Sequence, residues 1–306
     1  MSVEDIQGTR FQVIIWSSSE EGKNCDWKEG HWYRLSGVTA NEWPSGTVPH
    51  GTSSLGVDHL GQKWNRETVE LLYLTDSHLG KTTHSYGGSS WSVSPATGFS
   101  EAIKQAIRLD VDAVVHGGDL FHNPGGGIDS EDVSTCREKL TALAEAGIPF
   151  YFIYGNHERQ AGRQIMERFA DNSLAVHLGP RYEMIGDMLA VYGIDHQSDW
   201  TDFVPDVEQA PDDVPSMLCV HQSLDPFTES VNPDCSVQDL KEDVDTPIDL
   251  LVTGHVHTRS KCRIDKLQAF AGGSTARLGE SRDSLSPSVE LISVTDRSLN
   301  VKRKPL

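Results

Sequence analysis

The sequence predicts an α/β fold of sheets packed together with helices outside, preceded by a small all-β unit. From about residue 68, apolar strand-like runs alternate with helical periodicity, and the later runs are mostly strands. Residues 1–66 show short strand-like runs, turn-prone separators and no helical period. A chain of 306 residues has room for one large α/β domain and a small appendage, so the expected division is 1–66 and 67–306.

In the first unit Phe11 to Trp16, His31 to Leu35 with Val38-Thr39, and Ser54 to Val57 read as strands, separated by Glu21-Gly22-Lys23-Asn24 and Trp43-Pro44-Ser45-Gly46. In the second, Val69 to Thr75 is a continuous apolar strand. Phe99 to Leu109 has helical spacing, with Ala102, Ile103, Ala106 and Ile107 on one side. Val111 to Val115 is a second strand. Ser130 to Ala146 is a helix with Ser130 as candidate N-cap and Gly147 as candidate C-cap. Ile148 to Tyr154, Leu174 to His177 and Met188 to Tyr192 follow as strands. After them come Met217 to Val220, Leu250 to Thr253, Leu267 to Ala271, Val289 to Val294 and Leu299 to Lys302. The Asp- and Pro-rich residues 196–215 read as an exposed loop.

Composition narrows the class. No apolar run approaches the roughly 18 residues of a membrane span, and the N-terminus lacks the basic and apolar regions of a secretion signal. A cytoplasmic protein with no membrane partner is expected. Five scattered cysteines without a CxxC argue against a disulfide framework or a zinc–thiolate site. The net charge of −19 is uneven. Tyr192 to His257 carries 15 acidic residues against one basic, and Thr258 to Leu306 carries 10 basic against 5 acidic. This balance reads as adaptation to a salty cytosol, as in halophiles. The alternative is an acidic face that repels nucleic acid, an effect weakened where the Debye length falls to about 3 Å at 1 M salt.

Strand ends carry the chemistry. Successive strands run into Thr75-Asp76-Ser77-His78, Gly117-Gly118-Asp119-Leu120-Phe121-His122, Gly155-Asn156-His157-Glu158, Val220-His221 and Gly254-His255-Val256-His257. In an α/β sheet, ligands bind beyond the carboxyl ends of the strands. Asp76, His78, Asp119, Asn156, His221, His255 and His257 supply two carboxylates, an amide oxygen and four imidazoles. That set suits divalent manganese, iron or zinc. Seven donors exceed one ion's needs and fit two, about 3.5–4 Å apart, sharing a carboxylate. Any one motif alone is weak evidence; all five in this order are not.

The series resembles the calcineurin-like metallophosphoesterase superfamily, over roughly residues 69–306. Gly118-Asp119-Leu120-Phe121-His122 is similar to the signature of its SbcD-type DNA double-strand-break repair nucleases. So is Phe270-Ala271-Gly272-Gly273-Ser274-Thr275-Ala276-Arg277, with Ala-Gly-Gly in place of the usual Pro-Gly. The resemblance implies a four-layer α-β-β-α sandwich and a metal-dependent phosphodiesterase using two divalent ions, Mn2+ in the first instance. It implies a DNA exo- or endonuclease of the 3′–5′ type in DNA repair. The seven residues above would be ligands, with Asp119 bridging. His157 would protonate the leaving 3′ oxygen or stabilise charge at the phosphate, and His122 would orient His157 or the DNA. Glu158 would orient its neighbours.

Two departures accompany the resemblance. Only 49 residues follow His257, so the usual cap and the segment that binds an SMC-like ATPase of the SbcC type are not expected there. The basic residues Arg297, Lys302, Arg303 and Lys304 either touch phosphates or are simply solvated. The aromatic-rich N-terminal unit faintly resembles an oligonucleotide-binding (OB) fold, which would make Trp32 and Tyr33, with Arg277, candidate nucleic-acid contacts. Core packing is the alternative for its aromatics, and its 6 basic against 10 acidic residues through Glu70 lend no support to phosphate binding. DNA and a second copy of the chain are candidate partners. A phosphomonoesterase, a small-molecule phosphodiesterase, a nucleic-acid-binding protein with an inactive site, and a scaffold that works only with an ATPase remain the rival readings.

Overall fold

The computed structural model describes residues 2–4, 10–12, 14–15, 32–43 and 46–61, and residues 68–306 apart from 123–126, 201–202, 213, 229–232, 279–285 and 296–297. The chain divides into two compact units, Met1–Glu67 and Thr68–Leu306. In the first, β1 (Ser2–Glu4) pairs antiparallel with β2 (Arg10–Gln12). A second sheet has the order β3 (Ile14–Ile15), β5 (Gly46–Gly61), β4 (Trp32–Trp43). β4 and β5 form an antiparallel pair with bulges, which strengthen twist. The OB-like expectation, Cys25, and the side chains of Trp32 and Tyr33 lie outside the described residues.

The second unit begins with alternating strands and helices: β6 (Thr68–Leu74), the hairpin β7 (Thr83–Tyr86) and β8 (Ser89–Ser92), α1 (Pro95–Leu109), β9 (Ala113–His116), α2 (Ser130–Glu145), β10 (Phe150–Phe152), α3 (Gln160–Asp171) and β11 (Val176–His177). Next come β12 (Glu183–Ile185), β13 (Leu189–Ile194), β14 (Ser216–Val220), β15 (Leu224–Asp225), β16 (Cys235–Ser236) and α4 (Val237–Asp243). It ends with β17 (Leu250–Thr253), β18 (Ser260–Ile264), β19 (Leu267–Ala271), β20 (Ser288–Thr295) and β21 (Leu299–Pro305). Two six-stranded sheets result, in the orders β11-β10-β9-β6-β20-β21 and β12-β13-β14-β17-β19-β18. Each has four parallel strands and antiparallel strands at its margin.

Alternation along each strand separates the faces. Leu72 and Leu74 of β6, with Phe150 and Phe152 of β10, pack under Phe99, Ala102, Ile103 and Ala106 of α1, Leu140 and Leu143 of α2, and Ile165, Met166 and Phe169 of α3. The opposite face of β6 sends Tyr73 edge-on against Phe270 of β19, the ring centroids 5.6 Å apart, so the sheets meet face to face. The outer face of the second sheet is covered by Val237 and Leu240 of α4 and by Trp200 and Val207. This is the α-β-β-α sandwich.

Several local expectations need correction. The N-cap of α2 is Asp129, whose carboxylate accepts from Glu131 N, and Ser130 is already helical. Its C-cap is Ala146, with Gly147 just beyond at φ +70°. Ile107 points outward from α1, at 37% exposure. Residues 196–215 do not form a wholly exposed loop, because Trp200 and Val207 are buried in the second core. Cys136, Cys219, Cys235 and Cys262 are free thiols. Among the described residues no helix is long and apolar enough to cross a membrane.

Candidate metal centre

Both sheets direct the carboxyl ends of their central strands to one rim. β6 leads to Asp76 and His78, β9 to Asp119, and β10 to Asn156. From the second sheet, β14 leads to His221 and β17 to His255 and His257. The backbone there is unusual. Asp76, His78, Asp119 and His255 have φ of 53°, 50°, 57° and 75°, among eight non-glycine residues with positive φ in the described chain. Such conformations cost about 1–3 kcal/mol each and persist only when their surroundings over-determine them.

The surroundings do so here. Asp76 N donates to Gly118 O at 3.0 Å and His78 N to Asp119 O at 2.8 Å, which locks the first two loops together. The Ser274 hydroxyl donates to Asp76 O at 2.7 Å, and that of Thr275 to Ser77 Oγ at 3.1 Å. The buried Glu158 carboxylate accepts from Asp119 N, Gly155 N and Phe121 N at 2.7–2.8 Å. Gly118 needs its freedom twice over. Its φ is +91°, and a Cβ there would lie 2.5 Å from His221 Nδ1. At Gly155 and Gly254 φ is not positive and the constraint is space, since a Cβ on Gly155 would sit 2.1 Å from Asp119 Oδ1.

The side chains converge. Asp76 Oδ1 lies 3.5 Å from His257 Nε2 and 3.8 Å from His78 Nε2, and those two imidazole nitrogens are 3.0 Å apart. Asp119 Oδ2 lies 3.6 Å from His78 Nε2 on one side and 3.3 Å from His221 Nε2 on the other. His255 Nδ1 and Asn156 Oδ1 are 3.0 Å apart. The remaining nitrogens are anchored from outside: His221 Nδ1 by Gly117 O at 2.6 Å and His257 Nδ1 by Leu278 O at 3.1 Å. Anchoring one ring nitrogen to a carbonyl makes it the donor and turns the other, as a lone pair, into the site.

This arrangement fits divalent cations. Two buried carboxylates face lone-pair nitrogens that would otherwise oppose each other, and His221 Nε2 is fully buried without a hydrogen bond of its own. Charge tells the same story. Burial would raise Asp76, but the hydrogen bond and charge of His257 and the charge of His221 hold it at about 2. Burial opposes ionisation of Asp119 too, and His221 and His78 drive its pKa well below the usual carboxylate range. For His221, burial pulls the pKa down but Asp119 and Asp76 overcome it and raise it to about 10. A proton on His221 thus stands where a cation would neutralise the two acids, and metal uptake would displace it. His255 is lowered to about 4, chiefly by burial and then by His221, which leaves it a neutral donor.

Beside this group stand His122 and His157, their rings stacked with centroids 4.8 Å apart at 27°. His157 N donates to Asp119 Oδ1 at 2.8 Å, and its Nε2 is 4.0 Å from Asp119 Oδ2. Burial pushes both imidazoles below their ordinary pKa, His122 to about 4. Arg277 is exposed next to Leu278, and its carbonyl accepts from Trp91 Nε1 at 2.9 Å. All eleven site residues expected in this unit therefore lie at or beside one rim.

Sequence reasoning missed three contributors. His196, just past β13, stacks on His255 with centroids 5.8 Å apart at 20° and shares a hydrogen bond with His221 O at 2.9 Å. The strand-end rule that found the other motifs would have found this one. Arg259 reaches across to the buried Glu290 of β20, pinning the His255-Val256-His257 loop to the first sheet. Lys81 adjoins the centre through Lys81 N, which donates to His78 O at 3.0 Å. For neither cation did a motif exist.

Residues 69–259, well over half of the chain, match the sequence model of the calcineurin-like phosphoesterase family. The DNA double-strand break repair protein Mre11 of Methanosarcina mazei is 30% identical over 246 residues, covering 78% of this chain and 38% of that protein. Mre11 of Haloferax volcanii is 28% identical over 239 residues, covering 78% and 52%. The chain thus spans about two-fifths to one half of the curated relatives it matches. A solved protein of Thermus thermophilus shares the fold with a TM-score of 0.50, 12% identity, and coverage of 78% of this chain and 99% of that one. The chain belongs to the calcineurin-like phosphoesterase family and within it is similar to the double-strand-break repair proteins.

Proposed function

We propose that this chain is a two-metal phosphodiesterase that cuts DNA from its ends in the 3′–5′ sense or nicks single strands. The observation that carries the reading is Asp119, whose Oδ2 lies 3.6 Å from His78 Nε2 and 3.3 Å from His221 Nε2. One carboxylate oxygen between two donor groups is the geometry of a shared ligand. Asp76, His78 and His257 would complete one position, and Asn156, His221 and His255 the other. Two divalent ions so held, Mn2+ by preference for a mixed N/O set, supply an activated water and charge stabilisation at the phosphate.

The chain's own groups do the rest. His157 faces the open side of Asp119, 32% exposed at its side chain, and is the candidate to hand a proton to the leaving 3′ oxygen. Its depressed pKa makes the protonated form scarce at neutral pH, and an approaching phosphodiester anion would restore it. His122 holds its ring by stacking. Glu158 ties its own loop to the Asp119–Phe121 loop through its three accepted N–H bonds.

The repair role and the DNA substrate are supported by similarity to proteins named for double-strand break repair. An ATPase partner of the SbcC type and a homodimer extend the same reading, as does a nucleic-acid-binding role for residues 1–66. The test is an assay with Mn2+ on labelled single- and double-stranded oligonucleotides beside a chromogenic monoester, with Asp119→Ala as control. Oligonucleotide cleavage that vanishes in the variant is the expected result. Monoester turnover without DNA cleavage would leave a phosphomonoesterase in its place.

A further inference from the structure

The loop after His78 turns through Gly80, at φ +96°, into Lys81, Thr82 and Thr83. It runs alongside the loop that carries His122: Leu79 bridges Phe121, and His122 N donates to Leu79 O at 2.8 Å. Between this strip and the start of α2 lies a cleft of about 430 Å³, whose lining includes Lys81, Thr82, Thr83, His122 and Ile128 and the carboxylates of Asp129 and Asp132. A volume of that size is within the range of small-ligand sites, roughly 300–1,000 Å³. His122 is shared, being a wall of the cleft and the ring stacked on His157. The cleft is therefore next door to the phosphate position, not a separate cavity elsewhere on the fold.

Lys81 is the cation of this cleft. It is half-buried, and no carboxylate among the described residues lies within ion-pair distance of its ammonium. The two acids of the cleft, Asp129 and Asp132, accept hydrogen bonds from the backbone of Glu131 and Gly80. The position favours an anion brought from outside.

Resting on the phosphodiesterase reading, we infer that Lys81 binds a second phosphate of a polynucleotide, adjacent to the scissile one, and that the nucleoside between them occupies the cleft. Ile128 offers the base an apolar surface, and the Thr82 and Thr83 hydroxyls offer hydrogen bonds to the sugar–phosphate. A substrate with a single phosphate would leave this position empty, so the cleft selects chains over monoesters.

The experiment compares wild type, Lys81→Gln and Lys81→Arg. Binding of a fluorescent single-stranded oligonucleotide is followed by anisotropy as salt is varied, and steady-state cleavage is measured with Mn2+. Loss of one phosphate contact on a single strand lowers the slope of log K against log salt by about 0.7. We expect that loss in Lys81→Gln, with a raised KM and a smaller change in kcat, and recovery in Lys81→Arg. Calorimetric Mn2+ uptake should keep the wild-type stoichiometry. If wild type cleaves the oligonucleotide and Lys81→Gln keeps its slope and KM, the Lys81 assignment falls and the nuclease reading stands. If wild type neither binds nor cleaves the oligonucleotide, both fall.

Discussion

The two sheets of the second unit are built alike but contribute unlike chemistry to the rim they share. The first sheet sends out Asp76, His78, Asp119 and Asn156, which include both acids and the amide. The second sends out only imidazoles: His221, His255 and His257. The first sheet's loops are also the strained ones, with three of the four left-handed site residues. Negative charge therefore enters the centre from one side, and lone pairs steered by backbone carbonyls enter from the other. The sheets' relative position decides whether either half is useful, and Arg259–Glu290 and Tyr73–Phe270 are contacts that set it.

The largest effect should come from the charged half. Asp119→Ala removes the oxygen between the two donor groups. We expect activity to fall by about 10³-fold or more, the equivalent of several kcal/mol of lost charge stabilisation. Calorimetry should show Mn2+ stoichiometry below two. His255→Ala, from the imidazole half, should weaken metal affinity by more than the roughly 10–100-fold known for lost ligand-orienting contacts. Equal losses in the two variants would show that charge is not what distinguishes the sheets.

His157→Ala tests the space between the halves. It should lower kcat by about 10²–10⁴-fold, the usual share of a general acid, with metal stoichiometry unchanged. A variant that loses its metals instead would place His157 among the ligands.

Two further changes probe stability. Arg259→Ala leaves Glu290 buried at 1% exposure without its partner. Because Arg259 is itself 28% exposed, the loss should be below that of a fully buried pair, about 1–3 kcal/mol, read as a lower midpoint in urea. A midpoint matching wild type would mean that the sheets hold register without this bridge.

Acid should act through His116, which burial pushes down to about 3. Because its folded pKa lies below its ordinary 6.5, its contribution is complete above pH 6.5. It is lost as pH falls toward 3, at about 1.4 kcal/mol per unit. His116→Gln should flatten the fall of Tm of the metal-free protein below pH 6.5. His221 acts in the opposite sense. Its folded value of about 10 exceeds the ordinary one, so its stabilisation is present below pH 6.5 and fades as pH rises toward 10. Added Mn2+ should abolish that alkaline loss.

Much of the fold was legible because continuous apolar runs such as Leu250–Thr253 and Leu267–Ala271 have few ways to be buried other than as central strands. α3 was not legible: it follows the Gly155-Asn156-His157-Glu158 loop at once, and its buried stripe is only Gly162, Ile165, Met166 and Phe169. The short α4 was announced only by its capping box of Ser236 and Asp239. The hairpin of β7 and β8 has a single buried side chain in its second strand, Trp91, too little for a period.

The sequence by itself determined which donors the protein owns and that they stand at strand ends, because strand burial and ligand type are local properties of the chain. It could not determine that His78 and His257, 179 positions apart, bring their nitrogens within 3.0 Å, or that Asp119 lies between His78 and His221. It was equally silent on Lys81, which carries no motif. Those relations depend on how two sheets pack and on which backbone positions are held left-handed by neighbours far away in the chain. Only the tertiary structure sets them, because the cost of each strained residue is met by contacts that no local stretch contains.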